Sequence, residues 1–218
     1  MNKKQMTFLV DFQQIKQNKQ QVMEQSLSEL YSMFFDYMEQ KVNIREKIRA
    51  KQIFFHKTKN SREQFSNVIA PHFEHWFAFD YVTVIGSRMF DIFIREKKGT
   101  LSKSMLDLSG FMMLMALEPV KILEVNGKII KYEKVFNKCK ETASCYLFLP
   151  EVKKQDLVFI RILTVGTEKK IIGPIFAIDP PRCNLIIEQI NKVNEQGNLR
   201  KYLKEYGIDY LRYQKGKT

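Results

Sequence analysis

Pro119-Val120-Lys121-Ile122-Leu123-Glu124-Val125-Asn126-Gly127-Lys128-Ile129-Ile130-Lys131-Tyr132-Glu133-Lys134-Val135 is the stretch on which the fold turns. Two runs rich in β-branched and aromatic residues flank Asn126-Gly127, a dipeptide that favours tight hairpin turns because both residues tolerate positive φ. The stretch therefore predicts strands over Val120–Val125 and Lys128–Val135 joined at Asn126-Gly127. Working outward on the C-terminal side, the same period continues. Strands are expected at Ala143–Leu149, Leu157–Val165 and Lys170–Ile178, separated by Pro150 with Lys153-Lys154-Gln155-Asp156 and then by Gly166-Thr167-Glu168. Five short strands in so little chain predict a small antiparallel barrel, SH3-like or OB-like, closed by Pro180-Pro181.

On the N-terminal side the pattern changes. Glycine is absent before Gly86 and proline before Pro71, so the first seventy residues lack chain breakers. Ile15, Val22, Leu27, Leu30, Tyr31, Phe34 and Met38 recur at helical spacing and predict a long amphipathic helix. A second helix is expected from about Ile44 to Lys57. A third is expected from Ser61, as N-cap with Gln64 three residues on, towards Trp76. Phe77–Ile85 reads as extended, Ser87–Glu96 as a short helix, and Leu101-Ser102-Lys103-Ser104 opens a methionine-rich helix that ends before Pro119. The run Met112-Met113-Leu114-Met115 covers every face of that helix, which predicts full burial. Helices follow the barrel at Arg182–Glu195, stopping at Gly197, and at Leu199–Tyr206. The expected class is α+β, with a helical domain at 1–118, a small barrel at 119–181 and a helical segment at 182–218.

Trp76-Phe77-Ala78-Phe79-Asp80-Tyr81 resembles a WFxFDY signature of bacterial proteins, largely from Gram-positive lineages, that often carry a SEC-C zinc motif. The downstream layout is similar as well, with Met89–Arg95, Leu101–Leu117 and Ile122-Leu123-Glu124-Val125 in order. Gln155-Asp156-Leu157-Val158 then stands where that group has a Gly-Asp-Leu turn, and Ile172-Gly173-Pro174-Ile175 resembles its late strand. The resemblance covers about Arg62 to Pro181 and implies fold and bacterial origin rather than activity. The SEC-C cysteine cluster with its terminal Cys-His is missing here, so zinc binding is not carried over.

Composition narrows the function classes. The start, MNKKQMTFLVDFQQ, breaks its short apolar run at Asp11, and Leu101–Leu117 is short and carries Lys103 and Asp107, so neither a signal peptide nor a membrane span is expected. Cys139, Cys145 and Cys183 form no CxxC pair, which fits a reducing cytoplasm and no disulfide framework. No phosphate-binding glycine loop, GxSxG elbow or HExxH appears, and no cofactor is expected. His72, Glu74 and His75 precede Trp76, and two histidines three apart share a helical face, but a metal needs a third ligand from afar. Asp80, set among aromatics, is expected to be buried and paired with a base such as Arg62 or Arg88.

The net charge of +12 points to anionic partners. Between residues 41 and 62 stand Lys41, Arg45, Lys47, Arg49, Lys51, Lys57, Lys59 and Arg62 against Glu46 alone. Lys41, Arg45 and Arg49 follow at four-residue intervals and so share a helical face, with Ile44, Ile48 and Phe55 anchoring another. The nucleic-acid-contacting residues expected are Lys41, Arg45, Arg49, Lys51, Lys57, Lys59 and Arg62. The sequence thus predicts a non-catalytic bacterial nucleic-acid-binding or nucleoprotein-associated factor. An adaptor that binds protein through the long helix or a barrel edge is the alternative, and a metal-dependent hydrolase using His72, His75 and Asp80 the third.

Overall fold

Asn43 sets the first corner of the chain. In the computed structural model, which describes residues 3–60 and 68–216 with side chains from residue 12 on, helix α1 (Lys3–Lys41) stops at that corner and α2 (Ile44–Thr58) begins. The Asn43 side chain accepts a hydrogen bond from the Arg45 amide at 2.9 Å, satisfying one of the free donors of the α2 N-terminus. α2 ends where Lys59 adopts a left-handed conformation. The expected N-cap at Ser61 and the start of the third helix lie outside the described residues.

α3 (Ala70–Phe79) carries Pro71 in its first turn, where the missing amide costs nothing. The segment expected to be extended from Phe77 is therefore helical to Phe79, and only an isolated bridge, Val82 to Arg88, follows. Strand propensity loses here because Phe73, Trp76, Phe77, Ala78 and Phe79 are all buried at once, which a helix surrounded by apolar neighbours permits. α4 (Met89–Lys97) and α5 (Lys103–Leu114) complete the helical half, with Ser102 capping α5 through the Met105 amide. Met112 and Met115 are buried, whereas Leu114 is exposed, so the methionine run is covered on part of its circumference.

The strands are β1 (Leu117–Asn126), β2 (Ile129–Lys134), β3 (Lys140–Cys145), β4 (Leu157–Val165), β5 (Glu168–Ile171) and β6 (Phe176–Ala177). β1 pairs with β2 and β4, β3 with β2 and β5, and β5 with β4, which closes a five-stranded ring in the order β1-β2-β3-β5-β4. With β5 between β3 and β4 the ring is not a meander; of the two expected barrels it has the OB-like connectivity. One pairing departs from the antiparallel expectation: β3 and β5 run parallel through Ser144–Lys170 and Cys145–Ile171. The hairpin turn also sits one residue later than the Asn-Gly signal. Asn126 pairs with Ile129, so Gly127 and Lys128 are central, and Gly127 alone has positive φ (57°), the pattern of a type II′ turn.

β5 and β6 pair with the same edge of β4 and are separated by Ile172-Gly173-Pro174-Ile175. Proline has no amide for the ladder, and Gly173 has φ of 82°. A Cβ on Gly173 would stand 2.5 Å from the His75 ring, so only glycine lets this turn lie against α3.

β4 is buried on both faces. Val158 and Ile160 join Val120, Ile122, Ile130 and Tyr132 inside the barrel, while Leu157, Phe159 and Leu163 join the large core shared with the helices. The helices α6 (Pro180–Glu195) and α7 (Leu199–Tyr206) and a 3-10 helix (Gly207–Tyr213) add Ile186, Ile190, Leu203, Ile208, Tyr210 and Leu211 to the same core. Pro180 and Pro181 begin α6 rather than closing the barrel ahead of it. α1 reaches the barrel through Gln20. Its amide nitrogen donates to the Val165 carbonyl at 3.1 Å, and its oxygen accepts from the Thr167 amide at 2.9 Å, clamping the β4–β5 turn. Phe12, Ile15 and Val22 are exposed, so the apolar seam expected along α1 packs only from Met23 onward. No helix among the described residues is long and apolar enough to cross a membrane.

Candidate functional site

The basic segment does not form one stripe. The break at Val42-Asn43 takes Lys41 off the axis of α2, yet Lys41 at the end of α1 and Arg45 and Arg49 on α2 line one groove of about 530 Å³. Its other wall is Thr83, Val84 and Ile85 with Met89, Ile92 and Glu96 of α4, and Tyr37 and Val42 contribute apolar surface between. Glu46 also lines the groove, but its carboxylate is engaged: the Tyr81 hydroxyl donates to it, and Arg49 lies 3.4 Å away. Arg49 donates to the Tyr81 oxygen at 3.2 Å as well. Burial and the bond to Glu46 push the Tyr81 hydroxyl up to about 12, so it stays a donor at neutral pH.

The remaining expected contact residues point to other work. Lys57 donates to Asp209 at 2.9 Å and to the Glu205 carbonyl at 3.1 Å, and its ammonium lies 5.1 Å from the Tyr206 ring centre. Lys51 lies 5.6 Å from the Phe73 ring centre. Lys59 is the exposed C-cap of α2, and Arg62 lies outside the described residues. Lys47 pairs with Glu74 at 3.1 Å. The acids that relieve this basic segment thus come from α3 and the C-terminal helices, which the local count around Glu46 does not see. Nor do Ile44 and Ile48 anchor α2. Both are exposed, and Ala50, Phe54 and Thr58 are the buried face, with Phe55 half-buried.

A second constellation lies at the junction of the three stretches. Asp80, the C-cap of α3, pairs with Arg161 of β4 rather than with Arg88, and both side chains are only 1% exposed; the other expected base, Arg62, lies outside the described residues. Lys204 of α7 lies 3.7 Å from the other Asp80 oxygen and donates to the Phe79 carbonyl at 2.9 Å. Burial lowers the Lys204 ammonium to about 8 against the opposing pull of Asp80. Arg161 was visible in the sequence as the one charge within Leu157–Val165, but its partner was not.

His72 and His75 are buried and point to different neighbours. His75 donates from Nδ1 to the Pro71 carbonyl at 2.8 Å and accepts at Nε2 from the Tyr31 hydroxyl at 2.6 Å, so both nitrogens are committed. His72 packs edge-on against Phe176, 5.4 Å between ring centres. Burial, and then the nearby Arg161 charge, lowers both imidazoles to about 3, which keeps them neutral. Among the described residues no group of three histidine, cysteine, aspartate or glutamate side chains is placed to hold a metal ion. The histidines and Asp80 are therefore buried and committed to packing, and the groove of Lys41, Arg45 and Arg49 is a concave surface at which residues of the expected basic segment meet solvent. Comparison of the chain with protein-family models, with curated proteins and with solved structures gives no match.

Proposed function

We propose that the protein is a non-catalytic binding protein whose partner is an anionic macromolecule received at the groove of Lys41, Arg45 and Arg49. The observation that carries this is the convergence of Lys41 and Arg45, from two helices, on one open groove in which Glu46 is already matched by Arg49. The net charge of +12 adds a long-range attraction that speeds encounter with any polyanion.

Nucleic acid is one such partner, and the OB-like connectivity supports it by fold analogy. The barrel's outer surface supports it less. Lys121 faces Glu133 across β1 and β2, Glu133 faces Lys140 across β2 and β3, and Glu124 faces Lys131, so the charges alternate and cancel. A protein partner is the second reading, favoured by the aliphatic side chains around the groove.

Fluorescence anisotropy tests the proposal, with labelled duplex DNA, single-stranded RNA and polyglutamate titrated from about 50 to about 200 mM salt. Binding should weaken steeply with salt, and the double change Lys41→Gln with Arg45→Gln should weaken it and shallow the salt slope by about two units for a phosphate backbone. Failure of every polyanion to bind at the lowest salt, or identical curves for both proteins, would remove the proposal.

A further inference from the structure

The groove joins its charge to an apolar surface that a phosphate backbone leaves without a partner. Val84 and Ile85 on its wall are 68% and 69% exposed, and Met89 and Ile92 lie beside them. Ile44 and Ile48 of α2 are exposed as well, 69% and 51%, although they stand outside the groove's lining. Large aliphatic side chains so exposed on adjoining elements, rimmed by charge, have the composition of an interaction surface. Nucleic-acid contacts are made mainly by cations, hydrogen-bonding groups and, for single strands, stacked aromatics, and aliphatic chains at the rim of a cationic groove serve none of these.

We infer that the occupant of this groove is a segment of a partner polypeptide in which carboxylates stand beside aliphatic side chains. The inference rests on the proposal of an anionic partner and narrows it to protein. Charge complementarity selects the occupant. Lys41 and Arg45 supply the cationic rim, the charge of Glu46 is offset by Arg49, and the Tyr37 hydroxyl bonds Glu96 at the other wall. A second copy of this chain brings net charge of +12 against the same rim and is repelled. A bilayer surface also offers anionic headgroups and acyl chains, and the vesicle measurement below distinguishes it from a peptide. A peptide segment enters the groove, sets aliphatic side chains against Val84, Ile85 and Ile92, and turns carboxylates to the rim. This is the division of labour between apolar anchors and polar rim that protein interfaces use.

The test is selection of random peptides of about fifteen residues displayed on phage, long enough to fill such a groove. Enriched peptides are then measured against wild type, Lys41→Glu with Arg45→Glu, and Val84→Ser with Ile85→Ser. Circular dichroism checks each variant, and Ile85→Ser alone serves as a milder change should the double variant lose its fold. Peptides carrying Asp or Glu beside Leu, Ile, Val or Met should be enriched, and each double variant should weaken them by about tenfold. Peptides without carboxylates, or peptides that bind the serine variant as tightly as wild type, overturn the inference. So does tight binding to duplex DNA or to phosphatidylglycerol vesicles that the serine variant retains in full. If DNA or polyglutamate binds in a salt-dependent way while no such peptide is enriched, the inference fails and the anionic-partner proposal stands. If neither peptide nor polyanion binds, both fail.

Discussion

Asp80 and Arg161 meet in a place where neither is visible from the other's sequence surroundings. Arg161 cannot shed its charge, and both side chains are withdrawn from water, so removing the carboxylate strands a cation in an apolar core. Asp80→Ala should cost about 3–5 kcal/mol, whereas Asp80→Leu combined with Arg161→Met should recover part of that loss, because the double change removes the stranded guanidinium and leaves only Lys204, which keeps its bond to the Phe79 carbonyl. Urea unfolding of the three proteins decides this; a double variant no more stable than Asp80→Ala would show that the pair contributes through some other contact. The buried histidines give a pH dependence with a definite sign. Their folded values near 3 lie below the ordinary histidine value of 6.5, so the unfolded chain binds more protons across that interval. Stability is therefore complete above pH 6.5 and falls as the pH drops, by on the order of 1 kcal/mol per pH unit for each histidine. Unfolding midpoints at pH 7.5 and pH 5 should differ in the wild type. The gap should shrink when His72 and His75 are replaced by Gln, and an unchanged gap would refute the assignment.

α3 is the element around which the others pack. Trp76 is 2% exposed, and its ring lies 5.6 Å from Phe54 of α2 and 5.2 Å from Tyr81 beyond the helix end, while Phe79 meets Phe34 of α1 and Phe90 of α4. Trp76→Ala should cost about 3–5 kcal/mol, read as a lowered denaturation midpoint, and a midpoint close to wild type would place the aromatic signature outside the load of the core. How legible each element was in the sequence follows from what decides it. β4 was read to its terminal residues because Leu157–Val165 is buried on both faces along most of its length and so apolar apart from Arg161 and Thr164. β3 was expected at Ala143–Leu149 and lies at Lys140–Cys145, because its register against β2, Glu133 to Lys140 and Ile129 to Ser144, fixes it and no local residue does. Phe77–Phe79 looked extended by side-chain type, and packing on every side made it helix.

At the scale of the whole molecule the helical half, the outer side of β4 and the C-terminal helices share one core. Lys57 of α2 reaches Asp209, Arg212 donates to the Lys57 carbonyl at 2.7 Å, and Lys204 reaches α3, so the C-terminal segment is stitched to the helical half by charged contacts as well. Trp76 reports from the helical half, and far-UV circular dichroism reports from the entire chain. With the core shared, the two signals should give one coincident transition in denaturant. Separated midpoints would mean that the barrel and helices unfold as independent units.

What the sequence by itself determined is the succession of elements. A stretch without breakers became α1 and α2, the turn chemistry around Gly127 and Gly166 became two hairpins, and Asn43 and Ser102 became caps, because backbone preferences and local hydrogen bonds act over a few residues. The tertiary structure alone decided which distant groups meet. It set Arg161 against Asp80, Gln20 against the β4–β5 turn and β5 parallel to β3, and it drew Lys57 to Asp209 while leaving Lys41, Arg45 and Arg49 on an open groove. Charge is counted along the chain but neutralised through space, so a run of basic residues shows how many cations there are and not which of them remain available to a partner.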